Sequence, residues 1–285
     1  MKKFISESPV WSFLIINYLI SWSFLYPSYQ LILKNDGITP LAFIGIIGAY
    51  GPTISAIIVQ YILDKKKLKA LLKRFIKVKS NLKLILFVII IPVLFYALAY
   101  LFSILLFEGD LSFNWILGIT NMPLWFLAAL PFGPLGEELG WRGFMLPKLL
   151  EKHSVLKSTV LVGLAWGVWH FASFTFPGAA IPSFFKVSAG TILLYFMNTI
   201  ALSFVFTYVY IKTNGSVFYA ILLHAFFNAA ANIVLDFFGE TDNFPILVSA
   251  YIINIILAVL CGYLLVNKTK GSIPFVYHSL NNSKL

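Results

Sequence analysis

The chain has 285 residues, of which 60% are hydrophobic and only 11% charged, with a formal net charge of +10. An ordinary soluble domain carries about 25% charged residues, so this composition leaves too little polar sequence to cover a water-facing fold of this size. It points instead to a polytopic membrane protein. The single cysteine, Cys261, excludes an intrachain disulfide.

Taken in chain order, eight apolar runs approach or exceed the roughly 20 residues a helix needs to cross a bilayer core. They lie at about 9–33, 38–63, 84–107, 124–147, 158–176, 188–211, 216–237 and 244–266. Gly and Pro are scattered inside these runs, which membrane helices tolerate when neighbours satisfy the freed backbone groups. The first run is too long for a signal-peptide core and lacks a small-residue cleavage site. No internal repeat, linker or low-complexity tract divides the sequence. The expected fold is all-α, a polytopic transmembrane helix bundle of about eight spans. It forms one integral-membrane domain over 1–285, with its core spans within 124–235.

The basic charge follows the spans. With a cytosolic N-terminus, the cytosolic segments hold Lys2, Lys3, the run from Lys65 to Lys83, Lys148, Lys152, Lys157, Lys212, Lys268, Lys270 and Lys284. The outer loops hold Lys34 and Lys186 together with Asp36, Glu108, Asp110, Glu240 and Asp242. This is the positive-inside pattern. It places the chain in the cell membrane with both termini cytosolic, and it explains the charge without a nucleic-acid partner. The loop "DKKKLKALLKRFIKVKSNLK", residues 64–83, sets Leu68, Leu71, Leu72 and Phe75 at i, i+3, i+4 and i+7 among lysines. It reads as an amphipathic helix on the anionic inner leaflet, with membrane lipids as partners, or as a basic loop that sets topology. The tail after residue 265 reads as polar and loosely ordered.

Three spans carry ionisable or amide groups deep in apolar sequence. In "PFGPLGEELGWRGFMLP", residues 131–147, these are Glu137, Glu138 and Arg142. "LAWGVWHFASF" adds His170, and "ILLHAFFNAAAN" adds His224 and Asn228. Such groups are unfavourable by about 2.5–3.5 kcal/mol each at a span centre, so they face a bundle interior or a wet cavity and mark a functional site by default. Glu137 lies 11 residues before Lys148, His170 lies 13 after Lys157, and His224 lies 12 after Lys212. At 1.5 Å per residue all three sit about 16–20 Å from a cytosolic anchor, at one level. Glu138 and Arg142 are i, i+4 and can pair on one helix face. Glu137 sits about 100° around the helix, free to face elsewhere. Without a cation on its own face it suits the role of a base that takes a proton from water. Pro131, Gly133, Pro134 and Gly136 lie just upstream and can kink the span to open a cavity beside Glu137.

Each residue has a plainer reading. Asn228 serves as interhelical glue, His170 or His224 as a satisfied buried histidine, and Glu138 with Arg142 as a structural pair. Asn198, Asn232 and Asn254 are expected to pack or line a cavity, and His153 and His278 to be solvated. The plain readings weaken when all members are taken together.

The pattern Glu137-Glu138-x-x-x-Arg142-Gly143, then aromatic-x-x-x-His170, then His224-x-x-x-Asn228, resembles the CPBP family. This family comprises type II CAAX prenyl endopeptidases and bacteriocin-processing or Abi proteins. The resemblance covers about residues 124–235, and the extended "EELGWRG" is its specific part. One departure is Trp166 where the family usually has Phe, from which a packing change is expected and no loss of chemistry. The resemblance implies an intramembrane endopeptidase acting on a membrane-associated protein or peptide. Glu137 would activate water with His170 positioning it, and His224 and Asn228 would stabilise the oxyanion. Glu138 and Arg142 would hold the geometry.

The residues themselves leave the cofactor open between none and one divalent metal. Glu137, His170 and His224 match a zinc set with an open fourth position, but no His-Glu-x-x-His helix supports it. A metal-free Glu-His mechanism is the favoured expectation. Two other functions compete. One is a proton-coupled transporter, against which stands the lack of a repeat between chain halves. The other is a non-catalytic scaffold or immunity protein, against which stands the complete motif set.

Overall fold

The computed structural model describes residues 2–35, 37, 39–78, 82–107, 114–176, 187–238 and 243–269. The expected outer-loop charges Asp36, Glu108, Asp110, Lys186, Glu240 and Asp242 lie outside the described residues, as do Lys79 and the tail with Lys270, His278 and Lys284. Among the described residues every regular element is helical.

Polar residues start the helices where the sequence leaves the apolar phase. After α1 (Lys2–Glu7), α2 (Pro9–Lys34) begins with proline in its first turn. There the missing N–H costs nothing. A 3₁₀ turn (Pro40–Ile44), α3 (Gly45–Ala49) and α4 (Gly51–Leu63) follow. The Asp64 side chain caps α5 (Lys65–Lys73) by accepting from the Lys66 amide at 2.9 Å. Next comes α6 (Leu82–Phe107). Asn114 caps α7 (Trp115–Ala129), and the chain continues through α8 (Pro134–Glu138), a π-helical stretch (Leu139–Met145) and α9 (Leu146–Leu150). Ser154 caps α10 (Val155–Trp169), which leads into α11 (Phe171–Thr175). A Ser188–Thr191 capping box opens α12 (Ala189–Lys212), followed by α13 (Val217–Phe238) and α14 (Asn243–Thr269).

Five helical segments are long and apolar enough to cross a membrane, and two bent pairs bring the number to seven. The chain is an all-α, multi-pass helical bundle. The eighth expected span, 244–266, falls on α14, a helix of 27 residues.

The fourth span differs from its expected bounds of 124–147. It starts at Trp115, bends by 40° between Ala129 and Pro134, and runs on to Leu150. Pro123 is carried inside the helix, and the polar Asn121 beside it is satisfied in three dimensions. Asn121 Nδ2 and Trp125 Nε1 both donate to Asp236 Oδ2 on α13, at 3.1 and 2.6 Å. The second span is likewise broken, by 49° between Ala49 and Gly51.

The two bent spans pack on each other through glycines. A Cβ on Gly136 would lie 2.6 Å from the Ala49 carbonyl oxygen, and one on Gly140 would lie 2.6 Å from Pro52. Small residues thus let the backbones touch, the usual basis of close helix packing where no hydrophobic drive exists. On the remaining faces, α13 packs against α6 and α7, α12 against α10, and α14 between α6 and α12.

The lysine-rich segment is partly a docked element. Leu71 is buried, Leu68 and Phe75 pack against the core, and Leu72 faces outward. The helix ends at Lys73 and a 3₁₀ turn carries Arg74–Ile76, which shifts Phe75 and Leu72 off a common stripe. Arg74 Nη1 donates to the Gly143 carbonyl at 2.6 Å and to the Tyr210 hydroxyl at 3.1 Å. Gly143 lies in the π-helical stretch, where the altered register changes which carbonyls need partners. The cytosol-type helix is therefore tied to the segment that carries Arg142.

Candidate active site

The bend at 130–133 turns α8 so that its two adjacent carboxylates face different surroundings. Glu138 is fully buried and receives Arg142 Nη1 on both oxygens, at 2.8 and 3.1 Å. The Arg142 guanidinium is stacked between the rings of Trp166 and Phe206, at 4.6 and 4.1 Å, and reaches Ser203 Oγ at 3.4 Å. Glu138 Oε1 also accepts from His224 Nδ1 at 2.8 Å. The expected i, i+4 pair is present, and it is extended to a third member on another helix.

Among the described residues, Glu137 has no cation as a hydrogen-bond partner. Its Oε2 accepts the indole N–H of Trp166 at 2.7 Å and that of Trp141 at 3.2 Å. This corrects the expectation for Trp166: the residue is a hydrogen-bond donor to the carboxylate, more than a packing replacement for Phe. Of the two side chains only the indole carries an N–H, and sequence position alone does not show where that N–H points. Trp141, one turn after Glu137, had no assigned role in the sequence reading; the same i, i+4 rule that paired Glu138 with Arg142 would have found it.

The two imidazoles flank the same indole. His170 lies edge-on to Trp166 at 5.7 Å between centroids and His224 at 5.5 Å. His170 Nδ1 bonds the Trp166 carbonyl at 3.0 Å. A carbonyl and an arginine-paired carboxylate are both acceptors, so in each histidine Nδ1 carries the proton. Nε2 is thereby left for the site, the arrangement that fixes a tautomer through its second nitrogen.

Glu137, His170, His224 and Asn228 all line one cavity of about 710 Å³. Gly133 forms a notch in its wall. A Cβ there would lie 3.2 Å from Glu137 Oε1, 3.2 Å from Asn228 Nδ2 and 3.7 Å from His224 Nε2. Polar atoms of three residues from two elements thus converge around a space that a glycine leaves open. Asn198 also lines the cavity and pairs with Asn254 through its side-chain oxygen, as the packing reading expected. The arrangement joins a fixed carboxylate oxygen, two imidazole nitrogens and an amide donor in a partly apolar chamber.

The zinc alternative is less well served. Among the described residues no three His, Cys, Asp or Glu side chains converge to hold a metal ion. Glu137 Oε2 is engaged by two indoles, and Glu137, His170 and His224 do not form a ligand set in this arrangement.

Parts of the chain are similar to known proteins. Residues 118–230 match the family model described as type II CAAX prenyl endopeptidase Rce1-like. A curated protein of Methanococcus maripaludis, CAAX prenyl protease 2, is similar to this chain, with 31% identity over 186 residues. That match covers 60% of this chain and 66% of the relative, just under two thirds of its length. The matched region contains all six site residues, from Glu137 to Asn228. Over these residues the chain is similar to the type II CAAX prenyl endopeptidases of the Rce1-like group.

Proposed function

We propose that the chain is an intramembrane endopeptidase that hydrolyses a peptide bond of a membrane-associated protein or peptide with water activated by Glu137. The observation that carries this reading is the split use of the Glu137 carboxylate. Two indole N–H groups hold Oε2, while Oε1 borders the Gly133 notch beside Asn228 Nδ2 and His224 Nε2. A carboxylate that must act as a base needs one free oxygen and a fixed orientation, and the indoles supply the second without a countercharge. The match to the family model and the CAAX prenyl protease name of the relative support the same reaction class.

In this mechanism a water molecule in the notch gives a proton to Glu137 Oε1 as its oxygen attacks the scissile carbonyl carbon. His170 orients that water from across Trp166. The developing oxyanion is received by Asn228 Nδ2. His224 contributes a second donor at Nε2 when it is protonated, a charge that Glu138 is placed to support through Nδ1. The proton held by Glu137 passes to the departing nitrogen, so that one water yields a carboxylate and an amine. Glu138 and Arg142 hold His224 and Trp166 in place and do not touch the substrate. No step needs a metal ion.

The experiment is a comparison of peptide termini in membranes holding the wild-type chain or Glu137→Gln. New termini present with the wild type and absent with the variant are expected. Identical termini in both, with the variant accumulating normally, would remove the protease reading and leave the scaffold or transporter readings.

A further inference from the structure

The lysine-rich helix α5 meets the protein with one face and turns the other away from it. Leu71 is buried and Leu68 packs on the core, while Lys65, Lys66, Lys69 and Lys73 are exposed. At about 100° per residue these four lysines fall in one stripe roughly 100° wide. Among the described residues the only ion pair on α5 is Lys67 with Asp64, at 3.9 Å, and Lys67 lies outside that stripe. The stripe is a row of cations without carboxylates. Apolar side chains accompany it: Leu72 is 41% exposed, Ile76 77% and Val78 56%. A basic face beside exposed aliphatic groups suits the headgroup region of a bilayer and gains nothing from bulk water. Two neighbours mark that level. Lys65 Nζ stands over the Tyr61 ring at 5.4 Å, near the end of α4, and Lys212 Nζ over Tyr208 at 5.6 Å, near the end of α12. Tyrosine and lysine at span ends are interface anchors.

At its end α5 touches the segment that carries the site. Arg74 Nη1 donates to the Gly143 carbonyl at 2.6 Å and to the Tyr210 hydroxyl at 3.1 Å. Gly143 follows Arg142, whose guanidinium holds Glu138 and, through it, His224. Just beyond, Lys77 Nζ donates to the Asn214 carbonyl at 3.0 Å. Lys65, Lys69 and Lys73 are spaced by four, so like charges meet along the helix and weaken it. A ligand that neutralises them stabilises the helix in its docked place, because it binds that state and not the undocked one. We infer that Lys65, Lys66, Lys69 and Lys73 bind anionic lipid headgroups of the leaflet beside α5, and that this binding holds Arg74 on the Gly143 carbonyl and raises turnover at Glu137. The sequence left this segment open between a leaflet-bound helix and a topology-setting loop; the Arg74 contact gives the bound helix a consequence for the site. The tail at 270–285 is a poor occupant of the stripe, since it carries Lys270 and Lys284 and no Asp or Glu. The effect on turnover rests on the protease reading, whereas lipid binding and the Arg74 contact do not.

The test places the purified full-length chain in nanodiscs of phosphatidylcholine, with or without phosphatidylglycerol. An environment-sensitive dye on Ile76→Cys reads headgroup contact, against the wild type, whose Cys261 is buried, as labelling background. Hydrogen exchange over 139–145 reads the Arg74 contact, and peptide cleavage reads the site. Phosphatidylglycerol is expected to shift the dye to the blue and to raise cleavage. It should slow exchange over 139–145 by about tenfold, the weight of one hydrogen bond from a charged donor. Replacing the four lysines by Gln together should remove all three responses and leave turnover in phosphatidylcholine unchanged. High salt should remove them from the wild type as well. Arg74→Gln should keep the dye shift and lose the other two responses, and Arg74→Met, which keeps the packing of the stem, serves if Arg74→Gln does not accumulate. A dye that does not respond to phosphatidylglycerol overturns the inference, and leaves the stripe to an acidic protein partner. A dye shift with exchange over 139–145 unchanged overturns it too, as do lipid responses that survive loss of the four lysines. If no disc shows cleavage, the protease reading fails, while the dye and the exchange still decide whether lipid acts on Arg74.

Discussion

Glu137 and Glu138 are neighbours in the chain, yet they occupy two different kinds of environment. Glu138 is at the centre of a closed ionic cluster: Arg142 on both oxygens, His224 on one, and no exposed surface. Glu137 meets only indole N–H groups on one oxygen and a cavity on the other. A single residue step, about 100° around the helix, thus separates a carboxylate with a full set of partners from one with an oxygen facing the cavity. A buried charge with a full set of partners is a fastening. A buried carboxylate with one oxygen turned to a cavity has the form that the proposed base needs.

The largest effects should separate these two jobs. Glu137→Gln is expected to lower peptide cleavage by about 10²–10⁴-fold, the usual range for loss of a general base, with an unchanged Tm in detergent. Glu138→Gln is expected to lose about 3–5 kcal/mol of stability, because Arg142 is left charged and underpaired in a low-dielectric site. A folded, inactive Glu138→Gln beside a fully active Glu137→Gln would reverse the comparison.

The ionic cluster can be broken from its other side. Arg142→Gln should destabilise by a similar amount, and the double substitution Glu138→Gln/Arg142→Gln should be milder than either single one, since it leaves no unpaired charge. Thermal melts of the four proteins make the cycle. Additive losses would mean that the residues act separately.

A smaller effect sharpens the Glu137 side. Trp166→Phe keeps the ring between the two imidazoles and deletes the N–H that holds Oε2. A hydrogen bond to a charged group contributes about 1.5–3 kcal/mol, so kcat should fall by about tenfold or more with little change in KM. Trp141→Phe, whose contact is longer at 3.2 Å, should fall less. Equal kinetics for wild type and Trp166→Phe would show that the carboxylate is oriented by something else. The smallest expected effect is that of chelation: metal-stripped protein should retain its turnover. Activity lost on chelation and restored by zinc would require Glu137, His170 and His224 to rearrange into a ligand set.

Much of this molecule was readable as one-dimensional chemistry. Hydropathy runs gave the helices, since a backbone in lipid must satisfy its own hydrogen bonds. Buried charges at matched depth gave Glu137, His170 and His224, since unpaired charges do not stay in hydrocarbon without a function. Spacing by four gave the Glu138–Arg142 pair. What only the tertiary structure decided depends on contacts between distant segments. The link from His224 to Glu138, 86 positions apart in sequence, sets a histidine tautomer that no local pattern encodes. The Trp166 indole on Glu137 turns a substitution that looked like packing into a hydrogen bond, because the direction of an N–H is fixed by the helices around it. The break at 130–133 and the start of the span at Trp115 were hidden because Asn121 looks like loop sequence until Asp236 on another helix satisfies it. Composition and periodicity report what each helix needs to bury; which groups meet is determined by how the helices are packed together.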